Sequence, residues 1–227
     1  MGSDIQAVAV IGCGVIGASW ASYFLARGLD VHASDPAPQA EARLRARIAA
    51  NWPVLDQLGL GEGASPDRLS WHADAATAAA AAPFVLENGP ERLDLKRALF
   101  QALDDATPPG TILASSSSTL MPSEYQVLCR HPGRVVLAHP FNPPHLIPLV
   151  EVVGGAKGSP QAVAAAMAFY RSIGKHPIEI RKEVPGHLAN RLQAALWREA
   201  VHLVAEGVAS VADVDAAISE GPGLRWA

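Results

Sequence analysis

From position 139 to 151 the chain reads His-Pro-Phe-Asn-Pro-Pro-His-Leu-Ile-Pro-Leu-Val-Glu. A histidine and a glutamate, His139 and Glu151, stand at its ends, with Pro140, Pro143, Pro144 and Pro148 between them. An imidazole next to a carboxylate suits general acid–base chemistry, because the carboxylate fixes the ring tautomer and stabilises the imidazolium. Each proline fixes its own φ and pushes the residue before it toward extended geometry, so the connection is stiff. The same two residues also make an ordinary structural hydrogen bond. The elements that carry them have to decide.

Those elements read as strands. Val135-Val136-Leu137-Ala138 is an apolar run ending on His139, and 149–153 is a second strand-like run with Glu151 inside it. Further back, Ala-Val-Ala-Val-Ile at 7–11 has the continuous apolar character of a buried parallel strand. It leads into Gly12-Cys13-Gly14-Val15-Ile16-Gly17, then a helix-compatible segment up to Gly28, then a short strand closing on Asp35. Glycine triplets alone are common in loops. Between a strand and a helix, with an acidic residue about twenty positions on, they form a dinucleotide fingerprint. Gly12 permits the tight turn, Gly14 lets the backbone approach a pyrophosphate, and Gly17 lets helix and strand pack closely. The amides of Val15 and Ile16 open the helix, whose N-terminus favours phosphate. Asp35 suits a ribose diol and repels a 2′-phosphate, and Pro36 follows rather than an arginine, so NAD is expected over NADP.

The remaining first half alternates in the same way. A helix is expected over 38–58, interrupted at Trp52-Pro53, then a loop over 59–66 and a short strand at 69–71. Asp74 is placed to cap an alanine-rich helix. A strand at 84–86, a helix over 91–105 and a strand at 111–114 follow, the last running into Ser115-Ser116-Ser117-Ser118-Thr119. A serine run is a common linker composition. Directly after a strand of a doubly wound sheet it also lies where ligands bind. Both readings stand. Beyond 161–173 (helix) and 176–180 (strand), Val184-Pro185-Gly186 reads as a hinge, and the domain boundary is set there: 1–184, then 185–227. A long amphipathic helix is expected over 187–207, and another begins at Asp213.

Composition narrows the classes. With 227 residues, 49% of them hydrophobic, the chain buries a sizeable core. A formal net charge of −4 and no Lys/Arg-rich run argue against a nucleic-acid partner. No long strongly apolar stretch suggests a membrane span. Cys13 and Cys129 have neither metal-ligand nor disulfide spacing, so no metal is expected and a cytoplasmic location is.

Over essentially its whole length the sequence resembles the L-3-hydroxyacyl-CoA dehydrogenase family. The segments that carry the likeness are Val-Ile-Gly-Cys-Gly-Val-Ile-Gly, Glu-Asn-Gly-Pro-Glu-Arg-Leu-Asp-Leu-Lys, Ser-Ser-Ser-Ser-Thr-Leu, His-Pro-Phe-Asn-Pro, Leu-Val-Glu-Val-Val and Pro-Gly-His-Leu-Ala-Asn-Arg-Leu, in that order. The resemblance implies a Rossmann-like, mostly parallel α/β domain binding NAD, followed by an all-α domain that appears truncated here. It makes His139 the catalytic base, Glu151 its partner, and Ser118 and Asn190 the hydrogen-bonding residues at the reacting carbon. It also sets Glu91, Lys96, Ser118 and Asn142 along the cofactor. In the family the helical domain forms a homodimer, so a homodimer through the C-terminal helices is expected.

Two departures bear on the substrate. Members that use CoA resemble one another in a lysine-rich helix after the second strand, whereas Asn51 and Leu58 stand at its contact positions here. Arginines 43, 45 and 47 supply the only positive charge there and read as a solvated helix face. The 139–151 stretch looks more like the branch acting on small free 3-hydroxy acids such as carnitine and gulonate, to which a lens crystallin also belongs. A small acid is therefore expected, with a CoA thioester as the alternative. A crystallin-like or NAD-binding protein without activity is the other class. Of the aromatics near these motifs, Trp52, Trp71 and Phe141, each also reads as core.

Overall fold

The computed structural model describes residues 5–226. The chain divides into two compact units, Met1–Pro185 and Gly186–Ala227.

The first unit is a single eight-stranded sheet with helices on both faces. In chain order it comprises β1 (Ala7–Ile11), α1 (Val15–Ala26), β2 (Asp30–Ser34), α2 (Ala40–Gln57), β3 (Leu69–Trp71), α3 (Ala75–Ala80), β4 (Phe84–Glu87) and α4 (Leu93–Ala106). Then come β5 (Ile112–Ser115), α5 (Pro122–Tyr125), β6 (Val135–Pro140), β7 (Leu149–Gly154), α6 (Pro160–Ser172) and β8 (His176–Glu179). The strand order is β3-β2-β1-β4-β5-β6-β7-β8. Among the described residues only the β6–β7 pairing is antiparallel. The doubly wound, mostly parallel expectation holds.

Buried strands on both faces explain the unbroken apolar runs. Val8 and Val10 of β1 join a core with Trp20, Phe24, Leu44, Ile48 and Phe169, while Ala9 and Ile11 join another with Ala78, Phe100 and Tyr125. The rings of Trp20 and Phe24 stack at 5.2 Å, and Phe84 meets Phe169 at 4.2 Å. Asp74 caps α3 by accepting the Thr77 amide at 2.8 Å, as its position implies.

One expectation fails at Pro53. The helix is not interrupted there, because α2 runs from Ala40 to Gln57 with Pro53 inside it. Pro53 is exposed, and Leu44, Ile48 and Leu55 on the opposite stripe are buried in one core. Packing along that stripe outweighs the one backbone bond a proline removes. Trp52 and Trp71 are half-buried against the same core.

The second unit contains α7 (Ala189–Ala205), α8 (Val211–Ser219) and a short 3-10 turn over Pro222–Arg225. Ser210 caps α8 through the Asp213 amide. No residue of either helix is buried.

Candidate active site

The parallel strands end on one edge of the sheet, and their last residues build the site. Gly12 follows β1 with φ of +87°, and its amide bonds the Ser34 carbonyl at 2.9 Å. A side chain at Gly12 would meet the Asn88 backbone at 2.8 Å, and one at Gly17 would meet the Gly12 carbonyl oxygen at 1.9 Å. Gly14 is different, because a Cβ there meets nothing within 4 Å. Two glycines are thus required by the protein's own packing, and the third faces open space, as a site for close backbone approach needs. The first turn of α1 holds no acidic side chain and Gly14 offers no capping group, so its amides are available to an anion.

Asp35 leaves β2 beside this loop. Its Oδ2 accepts the Cys13 amide at 2.7 Å and its Oδ1 the Ala37 amide at 2.8 Å. These bonds fix the carboxylate while leaving each oxygen a second lone pair for a ribose hydroxyl. The glycine loop, the α1 amides and Asp35 therefore fit a dinucleotide. Cys13 adds no chemistry, since burial, with Asp35 nearby, pushes its thiol up to about 12.

The serine run is not a loose linker. Glu91 gathers it: Oε1 accepts the Ser118 amide at 2.6 Å, and Oε2 accepts the hydroxyls of Ser117 at 2.8 Å and Thr119 at 3.1 Å. Burial opposes ionisation of Glu91, yet the bonds from Ser117 and Ser118 outweigh it and hold the carboxyl below its ordinary value. Below the loop, Ser115 donates to Glu87 Oε2 at 2.6 Å. Lys96 does not face the open edge. Its ammonium is buried against Glu87 Oε2 at 2.6 Å and Ser115 at 3.3 Å, so its charge is neutralised inside the fold beneath the serine loop. Nothing local in the sequence distinguished Glu87, which completes that network.

His139 is the penultimate residue of β6, and Glu151 lies directly opposite it in the antiparallel β6–β7 register. Nδ1 of His139 is 2.9 Å from Glu151 Oε2, with the histidine 5% exposed and the glutamate fully buried. A carboxylate can only accept, so Nδ1 carries the proton and Nε2 presents its lone pair. Nε2 lies 3.1 Å from the Ser118 hydroxyl, which arrives from the loop after β5. The Phe141 ring stands edge-on to the imidazole at 5.6 Å. The pair does face each other, as the stiff connection suggests, but across a strand register rather than a loop. The strands hold it together, and the prolines shape the excursion between them, where the Asn142–Pro143 peptide is cis.

The other positions fall as follows. Asn142 is exposed at the start of that excursion, and with Val15 it borders a cavity against α1. Asn190 is the second residue of α7, in the second unit. No group of histidine, cysteine or carboxylate side chains suited to a metal occurs among the described residues.

Comparison with known proteins bears on this arrangement. Residues 7–184 match the NAD-binding domain of 3-hydroxyacyl-CoA dehydrogenase, and 186–227 match its C-terminal domain. An L-carnitine dehydrogenase of Streptomyces griseus is 58% identical over 224 residues, spanning 99% of this chain and 67% of that enzyme. Among solved structures, an NAD-dependent 5-formyl-3-hydroxy-2-methylpyridine 4-carboxylic acid 5-dehydrogenase superposes with a TM-score of 0.90 at 37% identity, over 97% of this chain and 72% of that one. A 3-hydroxybutyryl-CoA dehydrogenase from Escherichia coli gives 0.89 at 32% identity, over 97% of this chain and 47% of that one.

Proposed function

The chain belongs to the 3-hydroxyacyl-CoA dehydrogenase family, and from that premise we propose that it is an NAD-dependent dehydrogenase oxidising the 3-hydroxyl of L-carnitine to the ketone. What carries the chemistry is His139, bonded through one ring nitrogen to Glu151 and through the other to Ser118. The substrate assignment draws on the 58% identity to an L-carnitine dehydrogenase.

Bound against the glycine loop and Asp35, the nicotinamide cofactor supplies the hydride acceptor. Nε2 of His139 takes the hydroxyl proton, and the Glu151 carboxylate stabilises the imidazolium that results. Ser118 donates to the substrate oxygen as it becomes a carbonyl, and the same role for Asn190 rests on the family resemblance alone. Glu91 orders the serine loop and with it Ser118. Phe141, half-buried beside His139, offers a ring face to a trimethylammonium group. Leu58 is 59% exposed and the segment carries no lysine, so the lysine-rich helix of the CoA-using members has no counterpart there.

We also infer a homodimer through α7 and α8, where Leu192, Trp197, Val201 and Val211 are 73, 64, 69 and 66% exposed. Apolar exposure of this kind marks a partner surface, and light scattering that found only monomer would remove it. The free thiols of Cys13 and Cys129 suit the cytoplasm.

The deciding assay follows NADH formation at alkaline pH with L-carnitine, L-gulonate and L-3-hydroxybutyryl-CoA supplied separately. L-carnitine should react best, and turnover of the thioester alone would overturn the assignment. His139→Ala should lose roughly 10²–10⁴-fold in kcat while binding NADH normally. Full turnover by that variant would take His139 out of the role.

A further inference from the structure

A cavity of about 110 Å³ lies between α1, α2 and the proline-rich excursion, three residues along the chain from His139. It has room for a group the size of a carboxylate. Polar side chains from three elements line it: Ser19, Arg47, Asn51, Asn142 and His145. No acidic residue does among the described residues.

Arg47 is the side chain whose surroundings change its meaning. Its neighbours on α2 are committed, Arg45 to Glu41 at 2.8 Å and Arg43 to the Pro38 carbonyl. Arg47 has no hydrogen bond or ion pair among the described residues and borders the cavity instead. All three arginines are exposed, as the solvated-face reading expects, and of them Arg47 borders the cavity.

His145 is prepared in a complementary way. The buried Ser19 hydroxyl accepts the His145 amide at 3.1 Å and lies 2.6 Å from its Nδ1. With no other acceptor for it among the described residues, the hydroxyl proton goes to Nδ1, which leaves Nε2 as an N–H donor. Burial, with Lys175 nearby, lowers the pKa of the ring and so favours its neutral form. Asn51 is oriented by donating to Ser22 at 3.1 Å. An arginine fork, an imidazole N–H and the absence of negative charge are the requirements of a carboxylate.

We propose that this cavity holds the carboxylate of the substrate, with the Arg47 guanidinium and the His145 N–H as its donors. It thereby selects free 3-hydroxy acids over thioesters, which bring a neutral carbonyl to the same place. The assignment deepens the dehydrogenase reading and rests on it for the identity of the acid. Val15 on the rim also puts the cofactor pyrophosphate in range as a second source of anionic oxygen, so the test separates the two.

The measurement compares L-carnitine with its neutral carboxamide in wild type, Arg47→Ala and Arg47→Lys, together with NADH affinity by fluorescence titration. One lost charge-assisted hydrogen bond corresponds to about 10- to 150-fold. Wild type should favour the acid over the amide by that order in kcat/KM. Arg47→Ala should bring the ratio near unity, mainly through KM, with NADH affinity unchanged, and Arg47→Lys should restore part of it. An equal loss on both substrates, or NADH affinity falling in step, would assign Arg47 to folding or to the cofactor and overturn the proposal. A second readout does not depend on carnitine turnover: titration with butyrate, followed by the ring proton signals of His145, which the His145→Gln spectrum identifies. A saturable shift in wild type that Arg47→Ala abolishes supports the subsite even if carnitine proves not to be the substrate. No shift in wild type refutes it.

Discussion

Hydrogen bonding at single residues sorts the candidates into those aimed at a substrate and those that hold them. Glu151 is fully buried with His139 Nδ1 at 2.9 Å, so its negative charge selects the tautomer with the proton on Nδ1 and a lone pair on Nε2. Glu151→Gln should preserve the shape but allow the amide N–H to donate to Nδ1, which moves the ring proton to Nε2 and removes the base. The expected loss is roughly 10²–10⁴-fold in kcat, with thermal stability little changed. Near-normal kcat in a well-folded Glu151→Gln protein would make this pair structural. Ser118 and Glu91 illustrate the other division. Ser118 was visible as part of a serine run, but the bond that sets its amide comes from a glutamate 27 residues earlier.

At the level of elements, the β1–α1 junction separates glycines that serve the fold from the one that serves a ligand. Gly17 has the Gly12 oxygen 1.9 Å from where a Cβ would lie, whereas Gly14 has nothing within 4 Å. Gly17→Ala should therefore force α1 away from β1 and lower the melting temperature by several degrees, by the mechanism of an overpacked contact costing about 1–3 kcal/mol. Gly14→Ala should melt close to wild type and lose NADH affinity, because only the approaching cofactor meets the added methyl. Calorimetry with NADH titration on both variants checks this, and equal melting losses would remove the distinction. Helix α2 shows the limit of punctuation signals. Pro53 marks a break in the sequence, but buried Leu44, Ile48 and Leu55 keep the helix continuous past it.

Across the first unit as a whole, one buried lysine ties distant parts together. Lys175, between α6 and β8, is 6% exposed and donates to the Pro144 carbonyl and, at 3.0 Å, to that of Ile147. Its ammonium also sits 3.7 Å from the Tyr23 ring centre and 5.4 Å from that of Trp20, so it joins the proline-rich excursion to α1. Burial, with Arg27 adding to it, pushes Lys175 down to about 7 from 10.5. Between those values the unfolded chain holds the proton more tightly than the folded one, so this group makes stability rise with pH. Below about 7 both states are protonated and its contribution is constant. The melting temperature of wild type minus that of Lys175→Met should therefore increase from pH 7 to pH 10. Parallel curves over that range would contradict the assignment.

What the sequence determined by itself is what depends on neighbours along the chain. The glycine loop between strand and helix, Asp35 after β2, the apolar strands and the Asp74 cap are conditions on backbone angle, helix polarity and periodicity, all met within about twenty residues. Tertiary structure decided the pairings between elements. His139 meets Glu151 because β6 and β7 run antiparallel in one register, and Ser118 reaches the other ring nitrogen because β5 is the next strand over. The burial of Lys96 on Glu87, and the parting of Arg47 from Arg43 and Arg45, depend likewise on what lies across the sheet or on a neighbouring helix. Composition along a chain carries no record of which strand will be adjacent, and the chemistry of this site is made from those adjacencies.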